Sequence, residues 1–126
     1  KNYQPKNSHE LWIYYKLGFY KTINNTPHFT MRRKELHARI VALSACGKQK
    51  EASYLVDIFL SKPKRNKHLH ALASSLAPYA PELALKVLEK VSSPSLLKVA
   101  LLLDIGANDE VLSLLNHPTI KTKRES

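Results

Sequence analysis

The stretch LHARIVALSACGKQKEASYLVDIF, residues 36–59, decides the fold. Leu36, Ile40 and Leu43 recur at i, i+4 and i+7, with Ala38, Ala42 and Ala45 beside them, a spacing that gathers apolar side chains on one face of an α-helix. Gly47 follows as a natural C-terminal stop, because glycine adopts the left-handed conformation that ends helices. Ala52, Leu55, Val56 and Phe59 then mark a second stripe from about Lys48 to Leu60, closed by the breaker run Ser61-Lys62-Pro63-Lys64-Arg65. Two helices joined by so short a turn make an α-α hairpin.

Downstream, the same unit returns twice. Leu69, Leu72, Ala73, Leu76 and Ala77 mark a helix ending near Pro78, and Pro81 opens another carrying Leu83, Ala84, Val87, Leu88 and Val91. Ser93 and Pro94 form a cap and first-turn pair before Leu96 to Ile105, Gly106 ends that helix, and Asn108 caps a last one with Val111, Leu112, Leu114 and Leu115. The junctions at Gly47, Tyr79 and Gly106 lie 32 and 27 residues apart, a solenoid period, although an irregular helical bundle uses the same patterning. Upstream, Leu11 to Tyr20 is apolar nearly all round a helix of about three turns, interrupted by Lys16 and Gly18. Such a helix is buried on several sides or expects a partner.

The expectation is an all-α chain of about seven helices in one domain, residues 1–126: an aromatic helix and loop over 1–29, three hairpins over 30–116 and a solvated tail over 117–126. Leu36, Ile40, Leu43, Leu55, Phe59, Leu72, Leu76, Leu88, Val99 and Leu103 are the expected core. At 126 residues, 44% apolar and 24% charged, such a chain buries a core without cross-links, and its single cysteine, Cys46, excludes an internal disulfide and suggests either a reducing compartment or an absence of selection for cross-links, a cytoplasmic location being the expectation. No apolar run approaches the length that spans a bilayer. The chain opens on Lys-Asn-Tyr rather than Met, which reads as part of a longer protein.

The hairpins resemble the tetratricopeptide-like class of α-α repeats, with Trp12, Leu17, Gly18 and Tyr20 supplying the residue types of its first helix at a different spacing. That resemblance implies a groove presented to a protein partner. The runs Leu76 to Leu88 and Ser93 to Leu103 also look like helical segments attached to bacterial glycosyltransferases that build envelope polysaccharide. The sugar-nucleotide site of such enzymes sits in a separate domain, so this resemblance implies an accessory role, with no catalytic residue and no cofactor here.

The residues carry little chemistry of their own. Ser61-Lys-Pro-Lys64 and Ser95-Leu-Leu-Lys98 match Ser-x-x-Lys without the companion elements that acyl transfer needs. His68 and His70 stand two apart on a helix, about 200° around it, and cannot chelate one metal. His9, His28, His37 and His117 read as surface histidines and Cys46 as a small buried thiol.

Charge says more. The net +10 lies wholly in the first 70 residues, which hold fourteen Lys/Arg against four acids. Arg32, Arg33 and Lys34 open one helix, and Lys64, Arg65 and Lys67 open the next first-of-pair helix, so stacking predicts one positive ridge where helix N-termini already favour anions. The reading is a non-catalytic helical-repeat interaction module with a protein partner or adjacent domain, its ridge suited to an anionic polymer or to the inner, anionic face of a membrane. The alternative is a basic module binding nucleic acid, with Tyr3, Tyr14, Tyr15 and Tyr20 stacking on bases.

Overall fold

A computed structural model describes residues 3–91, 96–104, 106 and 108–115, apart from the side chains of 96, 97, 101, 114 and 115. Among them are eight helices and no strand: α1 (Ser8–Lys16), α2 (Tyr20–Asn24), α3 (Arg33–Ala45), α4 (Gln49–Leu60), α5 (Asn66–Leu76), α6 (Pro81–Leu88), α7 (Leu96–Asp104) and α8 (Asn108–Leu115). The chain divides into two compact units, Lys1–Pro63 and Lys64–Ser126, the division falling inside the breaker run. The expected tail over 117–126, His117 and the Ser93-Pro94-Ser95 start lie outside the described residues.

The first unit is built around α3. Helices α1, α2 and α4 all pack on it, and every side chain from Glu35 to Ala42 is buried. Asn7 caps α1, its Oδ1 accepting from the Glu10 amide at 2.9 Å, while Glu10 Oε1 accepts from the Lys6 amide at 2.9 Å. This variant of the capping box satisfies two amides at a helix entry.

The expected three-turn aromatic helix is two helices. Gly18, at φ +83°, ends α1 in a Schellman motif: its amide donates to Tyr15 and that of Phe19 to Tyr14, both at 3.0 Å. The chain turns there and α2 begins at Tyr20, which is why eight helices stand where about seven were expected. Gly47 closes α3 in the same way, with Gly47 N–H on Ser44 at 3.1 Å and Lys48 N–H on Leu43 at 2.8 Å.

In the second unit α5 packs on α6 and on α7, and α7 packs on α8. Pro81 stands at the first turn of α6, where its missing N–H costs nothing. Of the expected core, Leu36, Ile40, Leu55, Phe59, Leu72, Leu76, Leu88 and Val99 are buried. Two positions differ. Leu43 is half-buried, and Leu103 is 55% exposed while Leu102 is buried. The polar residues of α7, Lys98 and Asp104, fall to either side of its leucines and do not separate Leu102 from Leu103, and the stripe runs through Val99 and Leu102 at i, i+3. No helix among the described residues is long and apolar enough to cross a membrane.

Candidate functional site

The site is assembled on a buried ion pair that sequence reasoning did not single out. Glu35 and Arg39 stand one turn apart on α3, and Arg39 Nε donates to Glu35 Oε2 at 2.9 Å with both side chains all but inaccessible. The carboxylate also accepts the Phe29 amide at 2.9 Å, the Met31 amide at 2.7 Å and Ser8 Oγ at 3.0 Å. Arg39 Nη1 donates to the carbonyls of Ile23 (3.2 Å) and Thr26 (3.0 Å), and Nη2 to that of Pro27 (2.6 Å). Its guanidinium lies 5.8 Å from the Phe29 ring centre.

Burial by itself would raise the Glu35 pKa. The amides of Phe29 and Met31, with Arg39 and Ser8, outweigh that and hold it below the ordinary 4.5. A carboxylate so saturated stays charged and has no proton to trade, so its work is positional. It fixes the segment leading into α3, including Met31, whose φ of +54° is unusual for a side chain of its kind.

What is positioned is the first basic triplet. Arg32 is the N-cap of α3, its carbonyl accepting from Leu36 N–H at 2.8 Å. Arg32 and Lys34 are exposed and border an open groove of about 600 Å³ that is also lined by Asn7, Ser8, His9, Phe29, Thr30 and Glu35. The N-terminal ends of α1 and α3 therefore meet at one concave surface, and both dipoles add positive potential there. Arg33 is half-buried and does not line the groove. Lys64, Arg65 and Lys67 open α5 in the second unit, with Arg65 its N-cap. Lys64 is half-buried, and Arg65 and Lys67 are exposed.

Beside the groove stands the only tryptophan, Trp12. Lys16 Nζ and Lys34 Nζ lie 5.3 Å and 5.5 Å from the centre of its ring, and the Tyr15 and His37 rings lie at 5.0 Å and 5.4 Å. His37 is buried, with Nε2 3.2 Å from the Tyr15 hydroxyl, so the surface placement expected for it is corrected. The aromatic packing of α1 had to be lined on one side, and His37 on α3 supplies that wall. Tyr14, Tyr15 and Tyr20 are half-buried and engage neighbouring rings, which leaves Tyr3, at 80% exposure, as the one tyrosine among the four open to stacking.

Other candidates offer less. A cavity of about 400 Å³ is lined by Leu43, Leu55 and Tyr54 together with Asn24, His28, Arg39, Lys50 and Glu51. Cys46 is half-buried rather than enclosed, since it caps the exposed end of α3. Burial, and then the charge of Lys98, pushes the His70 pKa below its ordinary 6.5, and its Nε2 is buried without a hydrogen-bond partner. Among the described residues no group of three or more His, Cys, Asp or Glu side chains is placed to hold a metal ion. Comparison with protein-family models, curated proteins and solved structures finds no match for this chain.

Proposed function

We propose that this chain is a non-catalytic helical module that binds an anionic partner through its N-terminal unit. One observation carries the reading: Arg32 and Lys34 border a groove where two helix N-termini meet, held in shape by the buried Glu35–Arg39 pair. The unit around it holds eleven Lys/Arg against four acids over residues 1–63, a net +7 that draws anions from a distance. Lys64, Arg65 and Lys67 are proposed contacts of the second unit.

A tetratricopeptide-like succession of α-α pairs is the proposed architecture. It is supported by the packing of α3 on α4, α5 on α6 and α7 on α8, and by that of α5 on α7, which are first helices of successive pairs. The resemblance of residues 76–103 to accessory helices of envelope-polysaccharide glycosyltransferases supports a place beside such an enzyme, where the partner would be an acidic glycan or a membrane surface.

The test is a titration of the chain with heparin, a soluble acidic polymer, at several salt concentrations. Reversing Arg32 and Lys34 together to Glu should weaken binding by about ten-fold more than reversing Lys48 and Lys50, which carries the same change in net charge. Affinity should fall with salt as counterions are released. Equal losses from the two double variants would defeat the reading.

A further inference from the structure

Helix α1 presents two different faces. Leu11 is buried against α3, with Trp12, Tyr14 and Tyr15 packed around it. On the other side His9, Ile13, Lys16 and Leu17 fall within about a quarter-turn of one another at 100° per residue and are all exposed. Ile13 is 45% exposed and Leu17 61%, and past the Gly18 turn Phe19 is 50% exposed beside exposed Lys21. Ile13, Leu17 and Lys16 thus share the outward face of α1, and Phe19 and Lys21 are exposed just past the turn that follows it, with the Phe19 ring 5.9 Å from that of Tyr14. The lone acid near this patch, Glu10, is engaged by the Lys6 amide. Through His9, and through Lys34 beside Trp12, this patch runs into the basic groove.

An apolar stripe edged with lysines is mismatched to water and to a purely ionic polymer alike. It matches an interface that offers negative headgroups at one level and hydrocarbon a few ångströms deeper. We infer that the outer face of α1 and the α1–α2 turn dock on an anionic phospholipid surface, with Ile13, Leu17 and Phe19 entering the acyl boundary and Lys16, Lys21 and Lys34 meeting the headgroups. The inference deepens the proposed function by naming the anionic partner of that basic face, and it rests on that reading. A nine-residue α1 cannot cross a bilayer, so the contact is peripheral.

Trp12 makes the test direct, because the chain's single indole sits at the border of the patch. The whole chain is titrated with vesicles of phosphatidylcholine and with vesicles in which about a third of it is replaced by phosphatidylglycerol. Partitioning with a blue-shifted Trp12 emission is expected on the anionic vesicles alone. Lys16→Gln with Lys21→Gln should lower the partition coefficient about 30-fold, from roughly 1 kcal/mol per lysine. Ile13→Ser with Leu17→Ser should abolish the blue shift. Both pairs are exposed, and unchanged helical circular dichroism and melting confirm that the variants fold.

Absence of binding to anionic vesicles overturns the inference, as does equal binding to neutral ones. So does vesicle binding that survives Ile13→Ser with Leu17→Ser. Binding of heparin or of a random oligonucleotide without vesicle binding also overturns it, yet leaves the anion-binding groove standing, so the two readings fail separately.

Discussion

Glu35 shows how a charge survives burial. It is 1% exposed, and dehydration of that kind favours the neutral acid, but four donors reach its two oxygens. Replacing it with Gln keeps the shape and strands the Arg39 charge in the interior, so Glu35→Gln should cost about 3 to 5 kcal/mol in a urea-unfolding measurement. Its pH dependence follows from the lowered pKa. In the unfolded chain the carboxyl titrates near 4.5, and in the folded chain it titrates below that. The stabilisation is therefore complete above pH 4.5 and is lost as pH falls through the folded value. Glu35→Gln should lack this acid limb, and parallel stability curves for the two proteins below pH 4.5 would contradict the assignment. In sequence the pair looks like any i, i+4 surface salt bridge, and the basic triplet draws the eye instead. The legible signal was position: Glu35 is the third residue of α3, where a glutamate reaches back to amides ahead of the helix.

The helices themselves were largely legible because their punctuation is local. Gly47, Pro81 and Gly106 mark boundaries that a periodic stripe alone would leave open. Gly47, at φ +79°, has open space where a β-carbon would go, so the strain of Gly47→Ala is purely that of the backbone. It should cost about 1 to 2 kcal/mol, with Gly47→Asn closer to the parent protein, as thermal melts of the three proteins would reveal. Gly18 carries the same geometry but in sequence looks like a mere interruption, since apolar residues on both sides sustain the helical period through it. Register failed where sequence offers no contrast: the leucines of α7 fit the core face and its neighbour equally well, and only packing separates Leu102 from Leu103.

Across the whole chain, the charge excess legible in the first 70 residues sits mainly on a unit whose interior is itself organised by charge. One ion pair ties together the start of α1 through Ser8, the end of α2 through Ile23, the connecting loop through Thr26, Pro27, Phe29 and Met31, and α3, from which both partners come. No such long-range convergence is visible in a one-dimensional pattern, because its partners lie up to 27 residues apart. Its result reaches the time domain. Amides in a connecting loop ordinarily trade hydrogen for deuterium as soon as they meet solvent, whereas those of Phe29 and Met31 donate to a buried carboxylate that α3 carries and that Arg39 of the same helix holds in place. In a native-state exchange measurement these two loop amides should open with the free energy of the α3 interior rather than that of their loop neighbours, so that the segment bearing the basic groove is kinetically part of the helix.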